Sequence, residues 1–137
     1  MSESDAAPRT PPALPLVLLP ERLAVCRLPA DASVPAWATA SPLMSAVVRT
    51  RGELSVLTTE DMVPASARAE RGYRAFVVHG TLPLDLVGIL AAIAQPLAAA
   101  GIAIFALSTF DTDYVLVRDE EVERARAALE GAGHTVE

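Results

Sequence analysis

The chain has 137 residues, which suits one compact domain or two small fused modules. With 52% hydrophobic residues it holds ample material for a packed core, and this argues against global disorder. Its 17 acidic against 11 basic side chains give a net charge of −6 and no basic stripe, so nucleic acid and anionic membrane surfaces are poor partners.

Every basic residue apart from the two histidines is arginine; lysine and asparagine are absent, a bias expected of a GC-rich genome. Without lysine there is no Schiff-base chemistry and no phosphate loop of the Walker type. Cys26 stands alone, which rules out an internal disulfide or a thiolate metal cage and fits a reducing, cytoplasmic setting. No histidine lies near it in sequence, so it reads as a buried structural thiol.

Residues 1–12 are rich in proline and small polar residues and read as a disordered tail. Glu3 and Asp5 come before any arginine, so the tail lacks a cationic leader region. Leu14–Leu19 and Arg22–Leu28 have strand character, the second closed by Pro29. A loop or short helical turn follows around Trp37, which is expected to plug the core. Leu43–Arg49 and Glu53–Thr58 read as two strands, joined through Arg51 and Gly52 as a hairpin. Thr58 or Thr59, with Glu60 and Asp61, resembles a helix start that Pro64 cuts short.

Residues 65–72 are small, charged and end in glycine, which places a module boundary at 70/71. Beyond it Tyr73–His79 is a strand. Asp85 can cap a helix running to about Ala100, with Leu86, Ile89, Leu90, Ile93 and Leu97 inward and a disturbance at Pro96. Gly101 is a natural helix stop. Leu86–Ile104 contains Gln95, Pro96 and Gly101, too broken for a span that needs about 20 steadily apolar residues. Ile102–Ser108 and Tyr114–Arg118 are strands around the turn Thr109–Asp113. Asp119 caps a helix to about Glu130 with Val122, Ala125 and Leu129 inward, and His134–Glu137 is a short last strand.

The second half therefore reads β-α-β-β-α-β, the ferredoxin-like order, and the first half repeats its strands with a stunted helix. The expected architecture is α+β: tandem modules at 13–70 and 71–137, each an antiparallel sheet with helices on one face.

GILAAIAQPLAAAGIAIFALST (88–109), DTDYVLV (111–117) and, upstream, ELSV after Gly52 together resemble an ACT domain. They are similar to bacterial ACT-domain proteins related to the CASTOR arginine sensors and to aspartate kinase regulatory domains. The likeness extends over roughly 14–137 and is stronger in the second half. It implies a regulatory protein that binds a free amino acid between paired ACT units, with no catalytic residues of its own. The Pro-Gly usual before the first ACT helix is here Leu82-Pro83-Leu84-Asp85, and glycine comes later as Gly88.

A zwitterion needs an anion site beside a cation site. The helix opening at Leu84, Asp85, Gly88 and Ile89 offers backbone N–H groups and the positive end of a helix dipole. Asp111 and Asp113 offer carboxylates, and Ser108 and Thr109 hydroxyls. The plainer readings are hairpin chemistry for Asp111–Asp113 and helix capping for Asp85. The rest of a calcium loop is missing, so no metal is expected, and no cofactor. His79 and His134 read as structural or surface residues, and solvation is the default for Arg49 and Arg51.

These features favour an amino-acid sensor, homodimeric or a pseudo-dimer of its own modules, that acts on a regulated enzyme. The alternatives are a partner-binding structural module without ligand and a small enzyme using Asp111 or Asp113.

Overall fold

The structure, a computed structural model, describes residues 13–80 and 87–137. Its strands are β1 (Pro15–Leu18), β2 (Leu23–Leu28), β3 (Ser45–Arg49), β4 (Leu54–Thr59), β5 (Ala69–Val78), β6 (Phe105–Ser108), β7 (Asp113–Arg118) and β8 (Thr135–Val136). The two α-helices are α1 (Ile89–Ala99) and α2 (Val122–Gly131), and single 3-10 turns cover Ala36–Thr39, Glu60–Met62 and Asp119–Glu121.

All eight strands join one sheet. β5 organises it. Its first half pairs with β2, its second half with β1, and its opposite edge with β7. One arm runs β3-β4-β2-β5, and the other runs β8-β1-β5-β7-β6. β5 thus passes through the boundary expected at 70/71, closing the first set of strands and opening the second.

The second half has the expected order, with β5, α1, β6, β7, α2 and β8 in sequence. β2, β3, β4 and the start of β5 repeat that order, with 3-10 turns where helices would stand. One ladder departs from the antiparallel expectation: β1 lies between β5 and β8 and pairs with β8 in parallel. Both β1 and β8 oppose β5 in direction, so the N-terminal strand takes the place beside β5 and displaces β8 by one position.

α1 and α2 cover one face of the second arm. Ile89, Ala92, Ile93 and Leu97 of α1 and Val122, Ala125 and Leu129 of α2 pack with Leu16, Phe76, Val78, Val115 and Val117. Leu90, expected inward, is 38% exposed; Ala92 takes its place in the stripe. Both helices end alike. Ile102 N donates to Leu97 O and His134 N to Leu129 O, across Gly101 (φ 75°) and Gly133 (φ 100°), conformations that only glycine adopts without strain.

The sequence gives α1 a proline at Pro96, and the helix continues through it to Ala99. Pro96 has no N–H, so the carbonyl of Ala92, four residues earlier, loses its helical donor. His134 fills the gap: its Nε2 lies 2.7 Å from Ala92 O, while its Nδ1 accepts the Leu14 N–H at 3.0 Å. The ring is buried, and because Nδ1 accepts, the donor to Ala92 O is Nε2–H. It ties α1, the start of β1 and the α2–β8 connection together. His134 is therefore a core hinge pin, and the surface alternative is set aside.

In the first arm Ala24, Cys26, Ala38, Val56 and Val63 form a smaller cluster with Trp37 packed against it. Burial pushes the Cys26 thiol above its ordinary range, as befits an inert structural cysteine. Here the 3-10 turn Glu60–Met62 goes no further because Val63 is extended (ψ 122°), as a residue before proline prefers.

Candidate functional site

Of the residues expected to hold a ligand, Leu84 and Asp85 lie outside the described residues. Gly88 (φ 88°) is the N-cap of α1, and its carbonyl receives the Ala92 N–H at 2.9 Å. The Ile89 side chain is in the core and offers a ligand only its backbone.

Ser108, Thr109, Asp111 and Asp113 do gather, in the β6–β7 turn. Thr109 N donates to Thr112 O at 2.8 Å, and Thr112 N to Thr109 Oγ1 at 3.2 Å. Ser108 Oγ donates to Asp113 Oδ1 at 2.6 Å. Thr112 Oγ1 donates to Val78 O at 3.3 Å and clips the turn to the end of β5. These groups largely satisfy one another, which is the hairpin chemistry that Asp and Thr supply in turns. Asp111 remains exposed. Among the described residues no hydrogen bond joins this turn to the opening of α1.

The opposite end of the sheet is where β4 and β7 finish and β2 begins. Asp119 sits here. It was expected to cap α2, but the residue at that position is Glu121, without a side-chain bond. Asp119 instead receives Arg22 Nη2 at 2.5 Å and Arg74 Nη1 at 3.3 Å. Hydrogen bonds from Arg22 and then Arg74 hold its carboxyl below the usual carboxylate range. Arg74 Nε also donates to Leu19 O, and Arg118 spans Arg71 O and Glu70 while lying 4.6 Å over the Tyr73 ring. Arginine, with five donors in a rigid fork, suits this knitting of strand ends. Elsewhere Arg49 also turns to carbonyls, those of Ala30 and Ala32.

Beside the Arg22–Asp119 pair opens a cavity of about 600 Å³, lined by Glu21, Arg22, Leu43, Thr59, Glu60, Asp61, Val63 and Arg71. Thr59 is almost fully buried and bonds Ser41 at 2.8 Å. Glu60 Oε1 accepts Gly72 N at 2.7 Å, and Arg71 Nη2 donates to Pro64 O at 2.8 Å. Glu21, Glu60, Asp61 and Arg71 take part in no ion pair among the described residues. A smaller cleft of about 210 Å³ runs along Val25–Arg27, Glu53, Ser55 and Arg68–Glu70. No cluster of metal-ligating side chains occurs among the described residues. Nor is any described helix long and apolar enough to cross a membrane.

The sequence reading missed Glu21, Arg22, Glu60, Asp61, Arg71 and Asp119 as neighbours of one cavity. Only the acidic step Glu60–Asp61 and the arginine-rich stretch 68–74 marked the region, and both resemble ordinary solvated surface.

Comparison with known proteins matches residues 68–131 to an ACT-domain family model and residues 21–66 to a separate N-terminal-domain model. Over nearly its whole length the chain is similar to the solved structure of protein Atu0741 from Agobacterium tumefaciens, at 34% identity and a TM-score of 0.85. That match covers 92% of this chain and 93% of the other. The chain belongs to the ACT-domain proteins. This ACT-domain protein also shares its fold with VC0802 from Vibrio cholerae, described as a possible transport protein, at 20% identity and a TM-score of 0.69, covering 88% and 91% of the two chains. The regulatory subunit of aspartate kinase from Thermus thermophilus follows at 13% identity and a TM-score of 0.57, covering 87% and 93%. No curated sequence matches.

Proposed function

We propose that this ACT-domain protein is a non-catalytic cytoplasmic regulator that binds a free amino acid where its modules, 13–70 and 71–137, meet, and transmits occupancy to a regulated enzyme. The observation that carries this reading is the ACT-domain match over 68–131, on the arm whose βαββαβ order is complete. The helix opening at Leu84, Asp85, Gly88 and Ile89, with Ser108, Thr109, Asp111 and Asp113, is the site the sequence favours. An enzyme built on Asp111 or Asp113 is a weaker reading, because Asp113 is held by Ser108.

A thermal-shift screen of the folded chain against the twenty amino acids tests this. A ligand at about 100 times its Kd adds about 2.7 kcal/mol, a rise of several degrees in Tm. A selective rise is the expected outcome, and a flat screen contradicts it. A second reading, docking onto a partner or a second copy as a homodimer, is favoured by Val87 and Phe110, each 78% exposed. A strictly monomeric mass, unchanged by Phe110→Ser and by added enzyme, would remove it.

A further inference from the structure

We propose that the cavity between the end of β4 and the start of β2 binds a free α-amino acid with a neutral or basic side chain. Arg71 takes the carboxylate; Glu21, Glu60 and Asp61 take the ammonium group. The inference rests on the amino-acid reading above for its ligand class, and moves the site from the β6–β7 turn to the opposite end of the sheet.

Three observations support it. First, no helix covers this strand end. After β7 the 3-10 turn Asp119–Glu121 runs directly into α2, whereas after β4 the turn Glu60–Met62 stops at Val63 and Pro64. The space of about 600 Å³ lies within the range of small-molecule sites.

Second, opposite charges share its wall without touching. Arg71 and the three carboxylates form no ion pair among the described residues, although all line one cavity. Arg71 spends one N–H of Nη2 on Pro64 O and keeps further donors of its five; Glu60 spends Oε1 on Gly72 and keeps Oε2. A ligand with a carboxylate and an ammonium a few ångströms apart bridges such walls with charge-assisted hydrogen bonds. Arg22 adds positive charge at the rim but is engaged with Asp119.

Third, Glu21, Glu60 and Asp61 line the cavity with Arg71 and with Arg22, whose charge Asp119 already offsets, so the wall carries surplus negative charge. That surplus repels a ligand whose own side chain is acidic and tolerates a basic one. Val63, buried, and Leu43, 62% exposed, give the aliphatic part of the ligand an apolar contact.

The test is calorimetry of the full chain with each of the twenty amino acids, then with the α-N-acetyl and α-carboxamide derivatives of the tightest binder. Saturable binding of a non-acidic amino acid is expected, with each derivative weaker by about tenfold or more, since each loses one charged hydrogen-bonding group. Arg71→Gln and Leu43→Trp should each weaken binding by about tenfold or more, and Asp111→Asn should leave it unchanged. Leu43 is exposed, so Leu43→Trp fills the cavity in a folded chain even if Arg71→Gln destabilises the β4–β5 connection. Binding that survives Leu43→Trp and Arg71→Gln but is lost in Asp111→Asn overturns this site and leaves the amino-acid reading intact. Preference for aspartate or glutamate overturns the site as well. No binding by any amino acid to the folded chain removes both.

Discussion

The two arms of the sheet share a strand order and differ in what lies on them. In the C-terminal arm α1 and α2 seal a core of fourteen buried residues around Phe76, Ile93, Leu97 and Leu129. In the N-terminal arm 3-10 turns and a partly buried Trp37 cover a cluster of five. Both arms begin the second crossover in the same way, a six-residue strand followed at once by an acidic 3-10 turn, at Glu60–Met62 and at Asp119–Glu121. What separates them is the next residue pair. Val122 enters α2 with helical dihedrals, and Val63 is forced extended by Pro64. Pro64, together with a connection of residues 63–68 alone before β5, leaves this strand end without a covering helix. The sealed arm is closed by its helices and the open one leaves a cavity; β5 is common to both.

That contrast sets the size of the expected effects. Phe76→Ala, in the sealed arm, should cost about 3–5 kcal/mol, and Trp37→Ala, in the open one, less, about 2 kcal/mol, because its ring is only partly buried on a smaller cluster. Urea unfolding reads both. Equal losses would mean that the arms are equally packed. Next comes the pin between helices and strand. His134→Gln keeps bulk but misplaces one of two buried hydrogen bonds and should cost about 1–3 kcal/mol. Restoring an N–H in the helix with Pro96→Ala should make Ala92 O less dependent on His134, so the two substitutions should be non-additive in a double-mutant cycle. Additive losses would break that account.

The smallest effect is at the junction. Hydrogen bonds from Arg22 and Arg74 depress the Asp119 carboxyl, so the stability it contributes is present above the ordinary carboxylate value of about 3.9. It is lost as pH falls through the lowered folded value. Asp119→Asn should therefore differ from the parent near neutrality and converge with it in strong acid, with a small amplitude because the pair is solvent-exposed. A constant difference at every pH would show that Asp119 acts through packing instead.

Much of the strand and helix order was legible because it is local. Alternation marked β2 and β4, and the spacing of Val122, Ala125 and Leu129 marked α2. The first half of β5 was not legible. Glu70, Arg71 and Gly72 read as a linker, yet they are held in the sheet by β2, some 45 residues earlier in the chain, and by Arg118. The role of His134 was hidden for a similar reason: the carbonyl it serves is freed by Pro96, and the two partners are 42 residues apart. The candidate site divides in the same way. The β6–β7 turn was found because its residues are contiguous and its chemistry is local. The charged cavity was missed because its lining is scattered from Glu21 to Arg71 and none of it has a period or a motif.

The central claim is that ligand is received at the open arm. Hydrogen exchange of the full chain, with and without the amino acid that binds most tightly, tests it most directly. The account predicts new protection at 20–23, 43–45, 59–63 and 69–74, spreading along β5, with the β6–β7 turn unchanged. Protection confined to 88–92 and 108–113 would contradict it and return the site to the helix opening.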